Sequence, residues 1–334
     1  MVNDLNFELA QKLYHVLCVH NEEPGGIFAS VVGWMGCGKT TLLQRTVPKF
    51  FYFDSVDRVF EKETIIWRAR APVDFWNYFL DPSFEWEDPR YKRPVQVFRH
   101  KDDAAAFQLE RSHSVLPMPR PIEYTDSLDL YGKLVPGAIN VVYEPPEYFL
   151  SEPFLKMFRA KAHRPFRDLS EAVDGVLFWH EFIYTLMQEK GPEFYSLVLD
   201  EADEMFANNP TGADYHLHKL FRESARDFRK AGLTALMTFH KWGDIDWMIS
   251  SKIVMHGWMR GDPPPGFSLL RANSRYVSLA RLPIGRVIWE MDGFGHMDVP
   301  KIEYRERVRR FPRITEVKDG SPQADSGPVA EITG

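Results

Sequence analysis

A short apolar run, IFASVVG (residues 27–33), passes directly into a glycine-rich turn, WMGCGKTT (34–41), and then into the helix-forming LLQRTV (42–47). Gly33, Gly36 and Gly38 free the backbone to aim successive N–H groups at one point, which makes a nest for an anion. The helix that follows directs its positive end at the same point. A chain written this way has to place a strand, a tight loop and a helix in sequence around a phosphate-sized ligand.

The spacing from Gly33 through Gly38-Lys39-Thr40 is that of the Walker A P-loop, in the expected strand–loop–helix context. Lys39 is placed to reach the β- and γ-phosphates of ATP, and the Thr40 hydroxyl to ligand Mg²⁺. Thr41 is placed to touch the α-phosphate. Cys37 reads as a small filler residue inside the loop, with a redox role as the alternative.

A second half-site lies far downstream. LVLDE (197–201) is an apolar run ending in two acids, the pattern of a Walker B strand. Asp200 would hold Mg²⁺ directly or through water, and Glu201 would polarise the attacking water as general base. Two adjacent carboxylates on a buried strand are costly unless a cation faces them. The Asp-Glu pair places the chain among P-loop ATPases with a catalytic glutamate, apart from kinases and GTPases. No NKxD base-reading motif occurs; HKWGD (240–244) is the nearest string and does not fit.

Between and around these motifs apolar strands alternate with helices. Strands are expected at 27–33, 64–71, 94–100, 138–144, 195–201, 233–240, 251–259 and 285–291, and helices at 4–19, 40–47, 173–190 and 216–232. Such alternation predicts an α/β fold, and the Walker A loop with the Asp-Glu pair makes the expected class a RecA-like P-loop NTPase of the ASCE type. Its sheet would be mostly parallel and flanked by helices, with an insertion between Walker A and Walker B. The expected organisation is an N-terminal helix over 1–26, an ATPase domain over 27–314 with an irregular insertion around 72–137, and a disordered tail over 315–334. The length of 334 residues, 44% of them hydrophobic, suffices for one such domain with a sizeable core. No run approaches eighteen uncharged apolar residues, so no membrane span is expected. Two cysteines form no disulfide framework and suit a reduced cytoplasmic setting, the host cytoplasm if the chain is viral.

Leu197–Phe206 also spells DEAD, but a DEAD-box helicase needs further motifs that are absent: an HRxGR-type motif, a PTREL-type RNA contact and an SAT-type motif. The strand after DEAD ends in MTFH. The chain instead resembles the FtsK–HerA superfamily of DNA-pumping ring ATPases, from about Ile27 to Val299. The residues that carry this resemblance are the Walker A loop, LVLDEADEMF, and FRESARDFRKAGLTALMTFH with its charged helix and polar strand end. WGDIDWMISSKIVMHGWMR and LPIGRVIWEMDGFGHMDVPKI complete the order. His240 stands where that family usually has glutamine. A neutral imidazole there would hydrogen-bond the γ-phosphate or the lytic water; a strand-end histidine with only structural partners is the alternative.

The resemblance implies a self-associating ring, a hexamer, that moves double-stranded DNA, with genome packaging of a virus or mobile element as the favoured role. A capsid or portal-type protein would be a further partner. A neighbouring subunit would supply an arginine to the transferring phosphoryl group. Arg260 and Arg275 lead the candidates, ahead of Arg222, Arg226, Arg229 and Arg271, and for each one singly a surface arginine is the more ordinary reading. YRERVRRFPR (304–313) is the strongest basic cluster, either a phosphate contact or a solvated chain end. The net charge of −6 confines any DNA contact to a local basic surface or a ring interior. The alternatives are a Zot-like phage-assembly ATPase and a nucleotide-dependent switch or scaffold that moves no DNA.

Overall fold

The computed structural model of the chain describes residues 7–20, 26–69, 79–80, 88–103, 106–110, 120–161, 174–189, 194–210, 212–272, 278–299 and 313–317. Helix α1 (Phe7–Cys18) buries Ala10, Leu13 and Leu17 along one stripe and leads into the short strand β1 (Val19–His20). Strand β2 (Phe28–Val32), buried at every residue, delivers the chain to the glycine loop and to α2 (Lys39–Thr46). A hairpin follows, β3 (Phe51–Asp54) with β4 (Val59–Lys62), and then the buried strand β5 (Thr64–Ala69). Next come β6 (Val95–His100), β7 (Ala106–Glu110), β8 (Ile122–Tyr124), α3 (Ser127–Lys133) and β9 (Ile139–Tyr143). Helices α4 (Glu152–Lys161) and α5 (Asp174–Gln188) precede β10 (Tyr195–Leu199), which α6 (Gly212–Lys230) connects to β11 (Leu233–Phe239). The order closes with α7 (Trp247–Ser250), β12 (Met255–Trp258), α8 (Leu269–Ala272), β13 (Arg286–Glu290), β14 (Phe294–Asp298) and β15 (Arg313–Val317).

Ten of these strands make one sheet in the order β14-β13-β12-β2-β11-β10-β5-β9-β6-β8. From β12 to β8 every neighbouring pair is parallel. β13 and β14 add an antiparallel hairpin at one edge. A parallel sheet has to be covered on both faces, so its strands read as unbroken apolar runs rather than alternating ones. β5 shows how the core divides. Ile65 and Trp67 pack with Leu13, Leu17, Leu42 and Leu43 from α1 and α2, whereas Ile66 packs with Phe178, Phe182, Phe221 and Phe228 from α5 and α6. The fold is therefore mixed α/β, with a large, mostly parallel sheet between two helical layers.

β11 lies between β2 and β10. The glycine loop and the acidic pair are thus separated by one strand, whose own carboxyl end carries His240. Ligands of open α/β sheets bind at this end of the strands.

The range 72–137, expected to be irregular, contributes β6, β7, β8 and α3 where it is described; β6 and β8 extend the large sheet, and β7 pairs outside it. The boundary drawn at Thr315 falls inside β15, which pairs antiparallel with β7 from Arg313↔Glu110 to Val317↔Ala106. Residues 304–312 of the basic cluster and the tail from 318 lie outside the described residues.

Candidate functional site

The loop after β2 is held from both neighbouring strands. Gly33 N–H donates to Phe239 O at 3.2 Å, at the end of β11, and Trp34 N–H to Arg260 O at 2.8 Å, just past β12. Gly285 N–H donates to Cys37 O at 3.0 Å. Gly36 and Gly38 have φ of 74° and 105°, left-handed angles that glycine adopts without a Cβ penalty. A Cβ on Gly36 would meet nothing within 4 Å, so the turn opens onto free space. At Gly33 a Cβ would lie 2.7 Å from Cys37 Sγ and 2.9 Å from Met259 Cβ, which only glycine avoids. Cys37 is buried, and burial pushes its thiol up against the opposing pull of Lys39. A raised thiol keeps the unreactive form, so the structure favours the filler reading of Cys37.

Gly38 caps α2, whose first turn carries Lys39, Thr40 and Thr41. The N–H groups of a first turn lack intrahelical acceptors and suit an anion. Lys39 is buried, at 7% exposure, and its ammonium folds over the loop and donates to Gly33 O at 2.7 Å and Trp34 O at 3.2 Å. It also lies 3.2 Å from His240 Nδ1. Because an ammonium only donates, Nδ1 is the acceptor and the ring N–H sits on Nε2. That nitrogen stands 3.5 Å from Glu201 Oε1. His240 therefore bridges the Walker A lysine and the Walker B glutamate.

Thr238, two residues before His240 and on the same side of β11, ties down the acidic pair. Its hydroxyl donates to Asp200 Oδ1 and accepts the Glu201 N–H at 2.9 Å. Burial, reinforced by the Glu201 charge, raises the Asp200 carboxyl above its usual range, while Thr238 and Lys39 pull it down. Glu201 has φ 51° and ψ 48°, a left-handed conformation uncommon for a residue with a side chain. Asp203, in the next turn, has Oδ1 buried without a hydrogen-bond partner, and burial raises its carboxyl too.

These features fit a nucleotide with its metal. The loop offers backbone donors and an ammonium beside open space, and Asp200 carries a desolvated carboxylate that a cation would relieve. Among the described residues no group of three or more His, Cys, Asp or Glu could hold a metal by itself. Mg²⁺ would accordingly be held by Thr40, Asp200 and the phosphates it arrives with, as is usual for this ion.

The structure brings Gly33, Gly36, Cys37, Gly38, Lys39, Thr40, Thr41, Asp200, Glu201 and His240 to one edge of the sheet. Arg260 joins them through its backbone carbonyl, with a half-buried side chain. Arg275 lies outside the described residues, as do the side chains of Arg226 and Arg229. Arg222 stacks on Trp247, 4.6 Å from the ring centroid. Sequence reasoning missed Thr238 and Gly285. The period of two along β11 could have found Thr238, since a residue two before a strand-end functional group shares its face.

A parallel α/β sheet with an anion nest after β2, an acidic pair after β10 and a strand between them defines a P-loop NTPase fold. No family model matches the sequence, and no curated protein matches it. Among solved structures, the chain is similar to the genome packaging NTPase B204 from Sulfolobus turreted icosahedral virus 2, with 14% identity over 83% of this chain and 99% of that one and a TM-score of 0.39. It is also similar to the ATPases 2 and 3 of EccC from Thermomonospora curvata, at 15% identity over 84% of this chain and 37% of that one, with a TM-score of 0.34. A third likeness is to the N-terminal domain of zonular occludens toxin from Neisseria meningitidis, at 8% identity over 84% and 87% of the two chains, with a TM-score of 0.27.

Proposed function

We propose that the chain is an ATPase that acts as one subunit of a ring, a hexamer, and drives double-stranded DNA in the genome packaging of a virus or mobile element. The observation that carries the hydrolytic reading is the line Lys39–His240–Glu201 across three neighbouring strand ends. Glu201 is the base for the attacking water, and His240 fixes its direction. Lys39 leaves its loop carbonyls for the phosphates when ATP enters. Thr40 and Asp200 would hold the Mg²⁺ that offsets charge on the phosphates. The transport reading rests on the FtsK–HerA resemblance of the sequence, which also supplies the expectation of a capsid or portal-type partner. Among the described residues no helix is long and apolar enough to cross a membrane.

The test is the steady-state ATP hydrolysis rate of purified protein with and without long double-stranded DNA, with Glu201→Gln as control. The expected result is a severalfold rise with DNA and a control that has lost at least about a hundredfold in rate, the usual contribution of a general base. Hydrolysis that DNA leaves unchanged at low salt would overturn the transport reading and favour a switch or assembly factor.

A further inference from the structure

Two crossover segments lie side by side on the face of the sheet opposite α2. α6 follows the Glu201 turn and returns the chain from β10 to β11; the α7 segment follows His240 and returns it from β11 to β12. A buried pair joins them. His218 on α6 places Nδ1 2.8 Å from Asp246 Oδ2 and Nε2 3.1 Å from Met205 O, in the turn just after Glu201. Asp246 also accepts the Met248 N–H and so caps α7.

On their solvent side the two segments flank a cleft of about 610 Å³ lined by Lys219, Arg222, Glu223, Asp227, Lys230 and Lys252. Four cations face two carboxylates there, although the whole chain is acidic. The Lys219–Glu223 and Lys230–Asp227 pairs are loose, at 4.0 and 3.8 Å between exposed side chains. Pairs of this kind contribute little and exchange partners readily. Arg222 and Lys252 have no carboxylate at ion-pair distance among the described residues. The Arg222 guanidinium lies over the ring of Trp247, which is 62% exposed. An uncompensated basic surface beside an exposed aromatic platform is the chemistry that recognises a nucleic-acid backbone. From Lys219 to Lys230 the helix offers this surface over roughly 16 Å, at 1.5 Å per residue.

We propose that this cleft binds the sugar–phosphate backbone of duplex DNA, with Arg222 and Lys252 as phosphate contacts and Trp247 packed beside them. The assignment rests on the DNA-motor reading and names its contact surface. DNA held there engages the two segments that begin at Glu201 and His240, and the His218–Asp246 pair makes them move together.

The test is the binding of a labelled duplex, followed by fluorescence anisotropy over a series of salt concentrations. It is run beside DNA-free ATP hydrolysis and elution volume on a sizing column. The double variant Arg222→Ala/Lys252→Ala is expected to bind at least about tenfold more weakly. The slope of log affinity against log salt should shrink by about 1.8, two contacts at roughly 0.9 each. Elution should not change, basal hydrolysis should not change in Lys252→Ala alone, and Arg222→Lys/Lys252→Arg should keep the wild-type slope. Equal affinity and slope in the alanine variant, with wild type binding well, would overturn the cleft while leaving the motor reading intact. A smaller assembly on the column would also overturn it, and would make this face a subunit contact. Wild-type protein that binds no duplex even at low salt would sink both the motor reading and the cleft.

Discussion

His240 makes two contacts that a glutamine could also make. Lys39 needs an acceptor and Glu201 faces a donor, at 3.2 and 3.5 Å. A carboxamide offers one of each on a side chain of comparable reach. His240→Gln should therefore keep hydrolysis within severalfold of wild type. His240→Ala, which removes both contacts, should lower kcat by about a hundredfold, the lower end of what positioned proton-transfer groups contribute. The measurement is hydrolysis at saturating ATP; equal losses in the two variants would sink the bridging role. Asp200 makes a different argument at the same scale. Burial raises its folded-state carboxyl above the unfolded value, so protonation favours the folded chain. Its contribution to stability is full below the ordinary carboxylate range and is lost as pH rises through the raised value. At neutral pH the nucleotide-free protein therefore bears the cost of a desolvated charge. Asp200→Asn should raise the neutral-pH Tm of that form and leave it nearly unchanged at acid pH, while Mg²⁺-dependent hydrolysis disappears. A neutral-pH Tm that falls, in a scan of the two proteins over pH, would contradict this.

At the level of elements, the sequence shows the parts whose information is contiguous. β2, β5, β6, β9, β10, β11 and β13 appear as apolar runs, and the anion nest as eight consecutive residues, because each is specified by its own neighbours. The β3–β4 hairpin escapes this reading. Its turn, residues 55–58, contains no glycine or asparagine, and Arg58 itself takes the left-handed angle at φ 57°. Ser55 and Asp57 are weaker turn signals than glycine, and the Asx turn in which Asp54 Oδ1 accepts the Val56 N–H at 2.7 Å shows only in the structure. β14, FGHMD, has too few apolar positions for a period of two to show. The buried polar network below the sheet is hidden for another reason. Glu63, fully buried, accepts from His20 and from Ser196, partners 43 and 133 residues away in the chain. Arg93 beside it donates to the carbonyls of Phe50, Glu63 and Gly137. Such groups are tolerated in a core only when paired, and the pairing exists only once the sheet has formed. Thr238 belongs to this class in its partner alone, since the period of two puts it on the face of His240. Its place within an apolar strand says nothing about Asp200 until β10 and β11 lie side by side.

For the whole molecule, the open question is whether one chain carries a complete site. Among the described residues the edge holds Glu201 and Asp200, proposed as base and metal ligand, together with the Lys39 ammonium and His240. Arg260 contributes a backbone carbonyl to its own loop, and its side chain is half-buried. In a ring with head-to-tail contacts each site meets a different surface of the next subunit, so a residue can be supplied across the boundary. Mixing two inactive variants separates the cases. Subunits with Glu201→Gln keep Arg260, and subunits with Arg260→Ala keep Glu201. If Arg260 acts across the boundary, random mixing in equal amounts rebuilds about a quarter of the sites, one half times one half, in a ring of head-to-tail contacts. Hydrolysis by the mixture should then approach a quarter of the wild-type rate, well above either variant alone. If Arg260 acts within its own chain, no mixed site has both groups, and the mixture should be as inactive as its components. Arg260→Ala that hydrolyses ATP at the wild-type rate before mixing would remove Arg260 from the site and pass the role to another arginine.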